Sequence, residues 1–169
     1  IKSASDLVSR LRGLLEKSGH KPPFILVGHS YGGIFANVFA RNYPSEVSGV
    51  FLIDPSHPNQ HKLGSNYNRS QTGRKVAGYD GVIKRNLHKE YAKLEAFPDV
   101  PLMILTSGLF SSLKPHPKWI ELHQDLASLS SKSKQLIINK SGHYIHRDQP
   151  ELVIKHLKDL IRKANELRL

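Results

Sequence analysis

The chain has 169 residues, 38% of them hydrophobic and 23% charged, the length and balance of one globular unit, and residues 1–169 read as a single domain. The absence of cysteine excludes disulfides, thiolate metal sites and a cysteine nucleophile, and no apolar run approaches the ~20 residues that span a bilayer. The formal charge of +11 is spread along the chain, so the basic residues read as a solvated surface with a general attraction to polyanions, and no specific nucleic acid is expected.

In chain order, Ser3 and Asp6 form an S-x-x-D capping pattern, and Leu7, Val8, Leu11, Leu14 and Leu15 recur at helical spacing until Gly19. After Pro22 and Pro23, the run Phe24–Val27 reads as a strand buried on both faces. Ile34, Phe35, Val38 and Phe39 then repeat with helical period up to Pro44, and Val50–Ile53 is a second buried strand. Residues 55–78 have no clear period and read as a long loop, followed by a helical pattern in Val82, Ile83, Leu87, Tyr91 and Leu94. A third strand at 100–106, a helix through Trp119, Ile120, Leu122, Leu126 and Leu129, and a fourth strand at 135–139 follow. Asp148 and Glu151 read as a capping pair for a last helix, with Pro150 in its first turn. Alternating helices and strands predict an α/β fold, with a mostly parallel sheet of about four strands flanked by helices.

The segment "FILVGHSYGG" at 24–33 places G-x-S-x-G, here Gly28 to Gly32 around Ser30, between a predicted strand and a predicted helix. A strand that reverses abruptly into a helix crowds the backbone, so Gly28 and Gly32 are both expected to need the absence of a side chain. The turn lifts the Ser30 hydroxyl clear of the sheet, and the Tyr31 backbone N–H faces the same space as a candidate oxyanion donor.

Together with "NYPSEVSGVFLIDPSHP" and "SGHYIHRDQPELV", this segment resembles the α/β-hydrolase fold serine hydrolases. The resemblance covers nearly the whole chain and matches the C-terminal part of that fold, from the helix before the nucleophile strand onward. It implies a catalytic histidine at His143, which follows the fourth strand directly. His146 is the weaker candidate, and His29 is expected to line or support the pocket. His57 and His61 are spaced i, i+4 but lack a carboxylate partner motif, so no metal site is expected.

The histidine needs an orienting carboxylate. Many members of the fold place it after the strand represented here by Leu102–Leu105, but residues 106–120 contain neither Asp nor Glu. Asp54, at the end of the preceding strand, is the leading candidate, with Glu121 and Asp125 as alternatives. Asp99 precedes its strand and belongs to the opposite edge of the sheet.

The resemblance also implies a cap-like insertion at 55–98, where Tyr67, Tyr79, Tyr91 and Phe97 line an acyl pocket or form the cap's own core. It implies strands upstream of the nucleophile strand and a second oxyanion donor from one of their loops. The 169-residue chain alone is therefore expected to be weakly active or inactive, with a free sheet edge open to a missing N-terminal half or another chain. The first residue is Ile1 and the only methionine is Met103, so the location stays open between the cytoplasm and export or anchoring through a segment upstream.

The expected function is hydrolysis of a small-molecule carboxylic ester or related acyl bond, without a cofactor, through an acyl-enzyme on Ser30, His143 and Asp54. The alternatives are another hydrolytic or perhydrolytic reaction on the same triad, and a non-catalytic binding module that keeps the fold.

Overall fold

The computed structural model describes residues 3–60, 87, 89–109 and 117–167. Helix α1 spans Ala4–Lys17. The Ser3 side chain accepts the Asp6 amide at 3.0 Å, and the Glu90 carboxylate takes the amides of Ala4 and Ser5 at 3.1 and 2.6 Å, so an anion sits at the positive end of the helix. The helix closes through Ser18 and Gly19, whose φ of +77° is in the left-handed region that glycine tolerates.

Strand β1 (Phe24–His29) leads into α2 (Tyr31–Asn42), and a short 3-10 turn at Pro44–Glu46 leads into β2 (Val47–Ile53). Strand β3 (Leu102–Ser107), α3 (Pro117–Ala127) and β4 (Ser133–Ile138) follow. The chain then forms the single-turn helix α4 (Ile145–Asp148) and the long α5 (Pro150–Glu166). All neighbouring strands are parallel, in the order β1-β2-β3-β4, the predicted α/β arrangement.

Alternate residues of β2 and β3 feed two cores, as the two-residue period of a strand requires. Val50, Leu52, Leu102 and Ile104 meet Val8 of α1, Ile34, Val38 and Phe39 of α2, and Leu126 of α3. Phe51, Ile53, Met103 and Leu105 meet Ile145 of α4 and Val153 and Leu160 of α5. A parallel sheet covered on both faces in this way accounts for the unbroken apolar runs of the two central strands.

Two local expectations are corrected. Strand β1 is not buried on both faces: Val27 is 53% exposed, because β1 lies at an edge and, among the described residues, pairs only with β2. Asp148 does not cap α5, whose N-cap is Gln149 without a side-chain bond. Its carboxylate instead turns back to accept the Ser141 hydroxyl at 2.9 Å and the Gly142 amide at 3.0 Å, bracing the loop that carries His143.

Of the proposed 55–98 insertion, residues 61–86 and 88 lie outside the described residues, and with them His61, Tyr67, Tyr79, Val82 and Ile83. Leu87, Tyr91, Leu94 and Phe97 belong to the main core beside α1 and α2. No helix among the described residues is long and apolar enough to cross a membrane.

Candidate active site

Parallel strands deliver their C-terminal ends to one edge of the sheet. The register aligns His29 with Ile53 and Ile53 with Leu105, so Ser30, Asp54 and Thr106 follow one another along that edge.

Ser30 is the N-cap of α2, with φ 54° and ψ −122°. A non-glycine residue in this region is strained and is held only where the surroundings fix it. Three backbone bonds do so. The Ser30 amide donates to Ile53 O at 3.1 Å, and its carbonyl accepts the amides of Gly33 at 3.0 Å and Ser56 at 2.8 Å. Tyr31 is the first residue of α2, where backbone N–H groups point out of the helix end.

The crowding of the turn falls on Gly28 and Gly33. A Cβ on Gly28 would lie 2.5 Å from Gly32 O, and one on Gly33 would lie 2.5 Å from Pro55 Cβ. A Cβ on Gly32 meets nothing within 4 Å among the described residues, so the steric reason offered for that glycine does not apply. Gly28→Ala is accordingly expected to destabilise the protein by about 1–3 kcal/mol, because rigid backbone must move. Gly32→Ala is expected to be neutral or stabilising by at most about 1 kcal/mol. Denaturant titration of the two variants separates these outcomes.

Asp54 is fully buried and, like Ser30, has a positive φ, of 40°, a conformation that Asp tolerates better than most residues. Both carboxylate oxygens are bonded. Oδ1 accepts the Ser107 amide at 2.9 Å and Trp119 Nε1–H at 2.8 Å, and Oδ2 accepts His143 Nδ1–H at 2.7 Å. Burial pushes this carboxyl up, but the bond from His143, the attraction of the nearby His123 ring in the acidic range where that ring is protonated, the Ser107 amide and the Trp119 indole together hold it below its ordinary value. The group is therefore an ionised acceptor at neutral pH.

His143 is joined to the serine turn as well as to Asp54. The neighbour of Ser30, His29, donates its Nε2–H to the His143 carbonyl at 3.0 Å, and the two rings lie 4.6 Å apart. Burial holds His29 below its ordinary value, against the pull of that bond, so it serves as a neutral support. His146 also packs edge-on against His29, with ring centroids 4.7 Å apart.

Asp125 and Asp99 are occupied elsewhere. Asp125 binds His57 Nε2 at 2.9 Å. Asp99 caps the turn after α3 through Ser130, Ser131 and Lys132, contacts that pull its carboxyl down to about 2. Among the described residues no cluster of three or more His, Cys, Asp or Glu could hold a metal ion.

Sequence reasoning missed Ser107 and Trp119, the two donors on Asp54. Ser107 acts through a backbone amide, which leaves no residue-specific mark, and Trp119 occupies a helix position that reads as core. One signal was available: Trp119 and His123 are four residues apart, on one face of α3.

His123 is fully buried, and burial pushes its pKa down from 6.5 to about 4. Between those values the unfolded chain binds a proton that the folded chain does not, so stability falls as pH drops through this window, by about 3 kcal/mol in all. Asp54 adds a second loss at lower pH. Its contribution is complete above its unfolded value of 3.8 and disappears as pH falls through the lower folded value. Urea midpoints measured from pH 7 to pH 4 should decline, and His123→Phe should flatten that decline.

A family model described as alpha/beta hydrolase fold matches residues 3–69. Among curated proteins, the uncharacterized protein YqjL of Bacillus subtilis is 26% identical over 157 residues, covering 90% of this chain and 62% of YqjL. The chain spans less than two thirds of the length of the curated relatives it matches. Among solved structures, MGS-MChE2, an alpha/beta hydrolase enzyme from the metagenome of Mar Chica lagoon sediments, superposes with a TM-score of 0.66 at 18% identity. That match covers 96% of this chain and 71% of the other. A thermophilic esterase from Thermogutta terrifontis gives 0.62 at 20% identity, covering 97% and 74%.

Proposed function

Starting from a chain that carries part of the α/β-hydrolase fold, we propose that it is a serine hydrolase that cleaves a carboxylic ester or related acyl bond through an acyl-enzyme. The observation that carries this reading is the 2.7 Å bond from His143 Nδ1–H to the buried Asp54 carboxylate, with His143 tied through His29 to the turn that holds Ser30 at φ 54°. A carboxylate on Nδ1 fixes the proton there and leaves Nε2 as the basic nitrogen.

In this reaction the Ser30 O–H proton passes to His143 Nε2 as Oγ bonds to the acyl carbon, and the carbonyl electron pair moves onto oxygen. The Tyr31 amide stabilises that oxyanion. Collapse of the intermediate breaks the bond to the leaving alcohol, which takes the proton from His143. Water then repeats the sequence on the acyl-enzyme, releasing the acid and restoring Ser30. Asp54 stays ionised throughout and stabilises the imidazolium. Every proton and electron pair is accounted for by these groups and water, so the steps require no cofactor.

The test is a pre-steady-state assay of the full-length protein with p-nitrophenyl esters, beside amides and lactones of matched acyl length. A burst of alcohol stoichiometric with enzyme is expected for the esters. Faster turnover of an amide or lactone would reassign the substrate class. No turnover of any of them by the folded protein would favour a binding module.

A further inference from the structure

We infer that His123 is a positioning residue for the Asp54–His143 pair, acting through a directed chain of hydrogen bonds that crosses the active edge of the sheet. The inference rests on the hydrolase reading above and concerns what holds its acid in place.

The chain starts on β4, where Gln135 Nε2–H donates to Thr106 Oγ1 of β3 at 2.9 Å. Thr106 Oγ1 lies 2.8 Å from His123 Nδ1, and His123 Nε2 lies 2.9 Å from the Pro55 carbonyl. The carbonyl can only accept, so the ring proton is on Nε2. Nδ1 is then an acceptor, the threonine hydroxyl must donate to it, and a lone pair on that oxygen is left for Gln135. All four partners agree on one direction, and burial keeps the ring neutral at the pH of catalysis.

Its far end is the turn that presents the acid. Pro55 follows Asp54, and the next amide, that of Ser56, donates to the Ser30 carbonyl at 2.8 Å. Pinning Pro55 therefore fixes the turn between the acid and its tie to the nucleophile. Trp119, one helical turn earlier on α3, packs at a tilt against His123 with centroids 4.4 Å apart and holds Asp54 Oδ1. The helix thus grips Asp54 by its side chain and the turn by its backbone. A turn with φ 40° at Asp54 needs such a hold, because a backbone in that region drifts back to an ordinary conformation when its contacts are removed.

His123→Phe in the full-length protein keeps a ring against Trp119 and removes both ring nitrogens, leaving the buried Pro55 carbonyl unbonded. The expected result is a fall in ester kcat of about 100-fold with KM changed less than about twofold, since misplacement of a catalytic group acts on the chemical step. The downfield proton resonance of His143 Nδ1–H, bonded to Asp54, should broaden or vanish. His123→Gln restores a donor for Pro55 and should recover most of both signals. Should His123→Phe fail to fold, Thr106→Val removes the hydroxyl that donates to the ring Nδ1 and is expected to act in the same direction, about tenfold. A folded His123→Phe or Thr106→Val protein with unchanged kcat and an unchanged resonance would overturn the inference. Failure of the hydrolase reading is separable: the parent protein would then turn over no ester, while the resonance would still report whether His123 holds Asp54.

Discussion

Asp54→Asn in the full-length protein is expected to lower kcat by about ten-thousand-fold while leaving KM and the fold nearly unchanged. The size of the effect follows from which way the new amide must face. Oδ1 accepts two donors that cannot reverse, the Ser107 amide and the Trp119 indole, so the asparagine oxygen takes that place. Its NH2 group is then directed at His143 Nδ1, 2.7 Å from the former Oδ2. Two donors cannot face each other, so Nδ1 becomes the acceptor and the imidazole proton moves to Nε2. The histidine can then no longer accept the Ser30 proton. Steady-state kinetics on a saturating ester checks this, and a loss smaller than about tenfold would remove Asp54 from the role of orienting acid.

Ser30→Gly is expected to lower kcat by about a million-fold, because the nucleophile and its base act as a unit, and yet to raise the melting temperature. The serine occupies φ 54°, where a residue with a Cβ carries about 1–3 kcal/mol of strain. Glycine adopts that conformation freely, at an entropic cost of about 0.5–1 kcal/mol. The backbone bonds to Ile53, Gly33 and Ser56 do not involve the side chain and are retained. Calorimetry of the variant should therefore show a small net gain. A clear loss of stability would mean that the hydroxyl itself holds the turn together.

The serine turn was legible because its constraints fall within consecutive residues: apolar strand, glycine, serine and helix appear in order. The pairing of His143 with Asp54 was legible because His143 lies in the loop after β4 and the segment after β3 offers no carboxylate in place of Asp54. Those three positions come from one rule, that parallel strands end at one edge. The steric reasoning about Gly32 failed since the second close approach in the turn is between Gly33 and Pro55, residues far apart in sequence. The edge position of β1 changed the burial of Val27 for a similar reason, as the apolar composition of a strand does not reveal how many neighbours it has. Asp148 matched a helix-capping pattern, but its carboxylate found donors in the His143 loop first.

The support of the acid was the least legible part. Trp119 and His123 lie on α3, far beyond Asp54 in the sequence, and either reads as ordinary core by composition. Their role depends on which atoms meet: an indole N–H on Oδ1 and an imidazole N–H on a proline carbonyl. Hydrogen-bond direction is a property of the folded arrangement, not of residue type. The same is true of His57 and Asp125, the first read as a histidine without a carboxylate partner and the second as an alternative acid, which pair with each other.

The central claim is that Ser30 is a nucleophile activated by His143 and Asp54, and covalent labelling tests it most directly. The full-length protein is treated with a fluorophosphonate, digested, and the modified residue identified by mass spectrometry. A single adduct on Ser30 is expected, absent in Ser30→Ala and slowed about as much as turnover in Asp54→Asn. A folded protein that takes no label, or takes it at a serine other than Ser30, would contradict it.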